Sequence, residues 1–111
     1  MIHELRLHNE PFKKIKNGTK TIEMRLYNEK RKLIKENDII EFTNRTKNEK
    51  INTKVLKLHL YPSFDELYKD FDNTSLGYEE KEIKDPRDME IYYSKDEQCQ
   101  YGVVGIEIEL I

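Results

Sequence analysis

Apolar positions along the chain change period several times, and each change marks an element. In "IHELRLH", Leu5 and Leu7 alternate with Glu4, Arg6 and His8, the two-residue period of a half-buried strand. "NEPFKKIKNG" switches to helical spacing: Phe12 and Ile15 form an i, i+3 pair, Asn9 or Glu10 can cap the start, and Pro11 suits the first turn. Asn17-Gly18 stops that helix, because glycine tolerates the left-handed conformation at a C-terminus. Lys13, Lys14 and Lys16 are left on its outer side. "TIEMRLY" returns to alternation, with Ile22, Met24 and Leu26 on one side and Thr21, Glu23, Arg25 and Tyr27 on the other. The expectation is that the three apolar side chains fill a barrel interior.

"NEKRKLIKEND" reads as a charged connection, "DIIEF" as a short strand with Ile40 and Phe42 on one face, and "NRTKNEK" as a turn. "INTKVLKLHLY" is a longer strand with room for a bulge, and Leu56, Leu58 and Leu60 are aligned on it. In "PSFDELYKDF", Ser63 and Glu66 make an S-x-x-E capping pattern, and Phe64, Leu67, Tyr68 and Phe71 fall on one helical stripe. Residues 72–84 read as an acidic loop. "DPRDMEIYY" predicts a further helix, with Asp85 as cap, Pro86 in the first turn, and Met89, Tyr92 and Tyr93 on a shared face. In "GVVGIEIELI", Val104, Ile106, Ile108 and Leu110 alternate against Gly105, Glu107 and Glu109, so the chain closes in a strand. Strands spaced this irregularly, with so few helices, do not make a doubly wound parallel sheet. The pattern predicts an α+β fold: a small, mostly antiparallel barrel of five or six strands with two or three short flanking helices.

A length of 111 residues predicts one domain over residues 1–111, since two halves would each lack a viable core. Charged residues, at 38%, outnumber apolar ones, at 36%, but seven Tyr and four Phe supply large burial units and argue against disorder. No apolar run approaches the ~18 residues of a membrane span, and "MIHELRLHNE" has no cleavable signal pattern. One cysteine, Cys99, excludes an internal disulfide framework. The expected location is cytoplasmic.

The net charge of −2 conceals a division. Residues 1–60 hold 15 Lys and Arg against 8 Asp and Glu, whereas residues 61–111 hold 5 against 14. Most of the first excess lies in residues 13–35, and a concentrated basic region can gather phosphates. The competing reading is a solvated surface whose two halves neutralise each other across the fold. Within that region, Glu23 and Arg25 are same-side neighbours on a strand, and Lys20, out of step with them, must lie in the turn after Gly18, where its ammonium can reach the same hollow. An arginine held by a carboxylate still offers donors to a phosphate or a base edge. Pattern alone favours the other reading, an exposed ion-pair ladder of small energetic value.

The stretch "PFKKIKNGTKTIEMRLYNEKRKLIKENDIIEF" resembles the signature of the ASCH family, in the PUA-like superfamily of small RNA-associated barrels. Gly18, Lys20, Glu23 and Arg25 fill its G-x-K-x-x-E-x-R form, "NDIIEF" matches the following segment with Asn37 where glycine is usual, and "YGVVGIEIEL" resembles the closing strand. The resemblance implies a cleft beside the barrel for RNA, a nucleotide or a nucleoside. Lys20, Glu23 and Arg25 would contact base or sugar, Lys13, Lys14, Lys16, Lys30, Arg31 and Lys32 the phosphates. Tyr27, Tyr92, Tyr93 and Tyr101 are candidates for stacking, Tyr27 and Tyr93 foremost, with burial in the core as the alternative for each.

Some short ASCH proteins are amidohydrolases on N4-acylated cytidine, using a Lys and a Thr of this motif and a distant Glu. Lys20 matches that Lys, but Glu23 stands at the Thr position, and Glu79, Glu80 and Glu82 are all open as the distant acid. Catalysis would then need Glu23 as general base on a water and Lys20 at the oxyanion; the resemblance also allows a ribonuclease, with Lys20 or Arg25 stabilising a phosphorane-like charge. A third reading is a protein-interaction domain using the acidic second half. No cofactor is expected: the glycines form no phosphate loop or dinucleotide fingerprint, His3, His8 and His59 are dispersed, and Cys99 lacks a CxxC partner.

Overall fold

The computed structural model describes residues 1–111. Strands β1 (Ile2–Leu7), β2 (Ile22–Leu26), β3 (Ile39–Asn44), β4 (Lys50–Tyr61) and β5 (Val103–Leu110) form one sheet in the order β1-β3-β4-β5-β2. Only β1 and β3 run parallel; the other neighbours are antiparallel. This is the α+β, mostly antiparallel architecture expected, with the sheet curled into a half-barrel whose free edges are β1 and β2. Arg25 on β2 reaches across that seam: its Nη2 donates to the carbonyl of Arg6 on β1 at 3.0 Å.

Helix α1 (Asn9–Lys16) follows β1 and turns Phe12 and Ile15 into the hollow of the sheet, against Leu5, Ile40, Phe42, Val55 and Ile106. Burying two such side chains contributes roughly 1.5–3 kcal/mol each. His8, rather than Asn9 or Glu10, occupies the cap position, and no side chain caps it.

A second core lies on the other face of β2 and β5, under helices α2 (Phe64–Asp70), α3 (Asn73–Leu76) and α4 (Lys95–Tyr101) and a 3₁₀ turn, Pro86–Ile91. Ile22, Met24 and Leu26 belong here, packed with Phe64, Leu67 and Leu76, and do not fill the barrel interior as expected. Glu23 and Arg25 lie opposite Ile106 and Val104 in the β2–β5 register, and both of those line the inner core. The charged face of β2 is therefore the one turned into the curl. Alternation groups residues onto a face but does not say which layer that face meets; β2 is covered on both.

Gly105 brings α2 down onto the sheet. A Cβ there would stand 3.1 Å from Ile22 Cγ2 and 3.3 Å from Leu67 Cδ1, so both side chains would have to give by a few tenths of an ångström.

Three further expectations need correction. A bulge between Val55 and Lys57 divides β4 into two parities: Thr53 and Val55 face inward before it, and Leu58 and Leu60 share a side after it, opposite Ile106 and Val104, so Leu56 does not align with them, and Leu60 is exposed near the strand's end. Residues 72–84 contain a helix, α3, because Asp72 accepts from the Ser75 amide at 2.9 Å and Gly77 ends it at φ +97°. The helix expected over "DPRDMEIYY" is a 3₁₀ turn, followed by α4, which starts at a reciprocal capping box between Ser94 and Glu97.

Candidate functional site

Lys20 lies between α1 and β2, with its backbone amide bonded to the Lys14 carbonyl at 3.0 Å. Its aliphatic stem runs along Gly77, where a Cβ would sit only 3.0 Å from Lys20 Cδ. The ammonium donates to the Leu76 carbonyl at 3.2 Å and stands 3.4 Å from Glu23 Oε1. The other Glu23 oxygen accepts from Arg25 Nε at 2.6 Å. A carboxylate is thus clamped between two cations, with Lys20 6% and Glu23 4% exposed.

The low-dielectric setting fixes the charges. Burial holds the Lys20 ammonium below the ordinary lysine value, and the nearby Glu23 only partly offsets this. Burial pushes the Glu23 carboxyl up, but Arg25 and Lys20 together outweigh it and hold the group below the usual glutamate range. Burial works against the Arg25 charge as well, yet Glu23, helped by Tyr93, raises its value. With Lys20 protonated, the cluster carries one excess positive charge.

Over this cluster opens a cavity of about 370 Å³ between the β1–β2 seam and the helical layer. The strand side contributes Arg6, His8 and Arg45; the helical side contributes Tyr68, Tyr78, Asp88, Met89, Tyr92 and Tyr93. Three of these form a directed chain. Tyr78 Oη donates to Asp88 Oδ2 at 2.7 Å, and the two tyrosine hydroxyls are 2.9 Å apart. A carboxylate only accepts, so the Tyr78 proton is committed to Asp88 and Tyr68 is the donor to Tyr78. Burial pushes the Tyr68 hydroxyl up to about 12 and, first among several causes, also raises Tyr78, so both stay protonated.

Lys20, Glu23, Arg25 and Tyr93 come together as the sequence suggested; Tyr27 does not join them. It packs against the inner core, with the Lys32 ammonium 5.8 Å from its ring centre. Lys13, Lys16, Lys30, Arg31 and Lys32 lie outside the cavity lining, and Lys13, Lys16 and Lys32 pair with Glu10, Glu49 and Glu29. Lys14 stands at the cavity margin, donating to the Gly77 carbonyl at 2.7 Å and pairing with Glu79 at 3.3 Å. Glu80 and Glu82 do not line the cavity, whereas Asp88 does. Thr21 lines a separate, smaller cavity of about 170 Å³ that shares Lys20. The residues sequence reasoning missed are Arg6, Arg45, Tyr68, Tyr78 and Asp88. The outward parity of Arg6 on β1 was the one available signal; the rest depend on how the loops fold back.

No helix is long and apolar enough to cross a membrane. None of the curated proteins matches the chain. Among solved structures, the chain is similar to the crystal structure of hypothetical protein PH0355, with 34% identity, a TM-score of 0.83 and full coverage of both chains. It is also similar to the solution NMR structure of protein PF0455 from Pyrococcus furiosus, at 31% identity and a TM-score of 0.73, covering 100% of this chain and 98% of that one. The ASCH domain model matches residues 5–111. With the PUA-like half-barrel in place and that match spanning almost the whole chain, the protein belongs to the ASCH domain family.

Proposed function

We propose that the protein binds a nucleotide or nucleoside unit, free or splayed from single-stranded RNA, in the cleft above Lys20, Glu23 and Arg25. The observation that carries this reading is the convergence of those buried charges on the floor of a tyrosine-lined cavity. At about 370 Å³ it lies near the lower end of the ~300–1,000 Å³ of small-molecule sites, a size for one nucleotide and not for an RNA helix. Donors on Lys20 and Arg25 flanking the Glu23 acceptor suit the polar edge of a base, and tyrosines supply stacking faces. The basic side chains of α1 and of Lys30, Lys32 and Lys35 lie outside the cavity and would meet only flanking phosphates of a longer RNA, whereas Arg31, though outside the lining, stands near enough to Tyr93, Arg25 and Glu23 to feel their charges.

One observation favours turnover of an N4-acylated cytidine: a lysine with a depressed ammonium value faces the cavity beside a carboxylate. Against it, Glu23 has both oxygens engaged by cations and is held low, which makes it a weak general base. Binding therefore ranks first. The test is a thermal-shift screen of ribonucleosides, N4-acetylcytidine and short single-stranded RNA, with Lys20→Ala and Tyr93→Ala alongside. The expected result is stabilisation by a nucleoside-containing ligand that both variants lose. Equal stabilisation in both variants refutes the cleft assignment, and hydrolysis of N4-acetylcytidine that vanishes in Lys20→Ala transfers support to the hydrolase reading.

A further inference from the structure

The cations around the cleft differ in what they already hold. Lys20 is engaged by Glu23 and the Leu76 carbonyl, Arg25 by Glu23 and the Arg6 carbonyl, and Lys14 by Gly77 and Glu79. The guanidinium groups of Arg6 and Arg45 make no ion pair and donate no hydrogen bond within the fold, although both line the cavity. The backbone sets them side by side. Arg6 lies opposite Thr43 in the parallel β1–β3 register, and the Arg45 amide, two residues beyond Thr43, bonds to the carbonyl of Leu7 at 2.8 Å.

The side chains that line the cleft include Arg6, Lys20, Arg25 and Arg45 against Glu23 and Asp88, an excess of two cations within the lining. Two unpaired guanidinium forks at the strand side of a positively biased hollow match the oxygens of a phosphate, which each can take through two parallel N–H donors. Both side chains are exposed at the rim of the hollow, so the attraction is strongest at low salt.

Building on the nucleotide-binding reading, we infer that Arg6 and Arg45 form a phosphate subsite of the cleft, so that its ligand is a phosphorylated nucleotide and not a bare nucleoside. The phosphate lies toward the ends of β1 and β3, and the base lies over Lys20, Glu23 and Arg25 among the tyrosines of the helical side. A free 5′-monophosphate and one nucleotide of an RNA strand present the same group, and the two are separated by the test.

Titration calorimetry at low salt would compare the four ribonucleosides, their 5′-monophosphates and a short single-stranded oligoribonucleotide, using the whole chain and the Arg6→Gln/Arg45→Gln double variant. The wild type is expected to bind its preferred 5′-monophosphate about tenfold more tightly than the matching nucleoside, the worth of one charge-assisted hydrogen bond. That ratio is expected to fall to near one in the double variant, whose side chains support nothing in the fold, with the melting temperature as a check on folding. A ratio unchanged by the double substitution, or no preference for the monophosphate in the wild type, overturns the subsite while nucleoside binding in the cleft stands. No binding of any nucleoside or nucleotide overturns both readings. Tighter binding of the oligonucleotide, weakened by the double variant, assigns the phosphate to an RNA strand; binding of the monophosphate alone assigns it to a free nucleotide.

Discussion

Replacing Glu23 by Gln keeps the shape of the side chain and removes the single negative charge between Lys20 and Arg25. The structure sets the magnitude. Both oxygens of Glu23 are engaged, at 3.4 Å by Lys20 Nζ and at 2.6 Å by Arg25 Nε, and the residue is 4% exposed. Breaking a buried ion pair while leaving its partner charged costs about 3–5 kcal/mol. A domain of this size has roughly 5–15 kcal/mol in total, so Glu23→Gln should fold but lose a large share of its stability. Lys20→Met should behave oppositely. It removes the cation that burial already disfavours, leaves Glu23 paired with Arg25, and replaces a desolvated ammonium with a side chain of similar length. Its expected effect is within about 1 kcal/mol of neutral, since the carboxylate it leaves behind is still paired with Arg25 and no charge is stranded, while the desolvation of the ammonium is relieved. The two variants together should cost less than Glu23→Gln alone, because one of the stranded cations is gone. Urea unfolding followed by far-UV circular dichroism, with tyrosine fluorescence as a second probe in a chain without tryptophan, measures all three. A loss below about 1 kcal/mol for Glu23→Gln, with no coupling to Lys20→Met, would show that water and not protein surrounds these charges.

Other consequences can be checked separately. Lys20 is held below its unfolded value of 10.5, so between its folded value and 10.5 the unfolded chain binds more protons and stability rises with pH; Lys20→Met should lack that rise in unfolding curves taken from pH 7 to 10. Asp38, hydrogen-bonded by His3 at 2.8 Å and by the Lys35 amide, is lowered from 3.8 to about 2. Its contribution is complete above pH ~4 and is lost as pH falls through ~2, so Asp38→Asn should flatten that part of the acid-unfolding profile. Gly77→Ala forces a side chain at φ +97° and puts its Cβ 3.0 Å from Lys20 Cδ, which should cost about 1–3 kcal/mol and lower the melting temperature by several degrees. Tyr78→Phe removes the hydroxyl linking Tyr68 to Asp88 and should cost about 1–2 kcal/mol by chemical denaturation.

The inner core was legible because its strands obey simple periods. Leu5 and Leu7, Ile40 and Phe42, and Val104, Ile106 and Ile108 are buried as their alternation required. Room for a bulge in β4 was legible but its place between Val55 and Lys57 was not, since one extra residue reverses the parity of everything after it without altering the local composition. The failure at β2 was of another kind: Ile22, Met24 and Leu26 share a face, but only the docking of α2 and α3 decides that this face meets helices. Lys20, Glu23 and Arg25 could be brought together from spacing and from the family's motif, because they lie within six residues of one another. Arg6, Arg45, Tyr78 and Asp88 are distant in sequence and meet at the cleft only through tertiary folding. Among the basic residues that suggested phosphate contacts, Lys13 and Lys32 pair locally with Glu10 and Glu29, while Lys14 and Lys16 reach the distant Glu79 and Glu49.

The most direct test is a titration of the protein with a ribonucleoside 5′-monophosphate, followed by amide chemical-shift changes in two-dimensional NMR. The expected result is a saturable set of shifts at Arg6, Lys20, Glu23, Arg25, Gly77 and Tyr93, the groups that surround the cavity. Shifts confined to Lys13, Lys16, Lys30 and Lys32, with the amides around Glu23 unmoved, would contradict it and place any nucleotide on the outer basic surface.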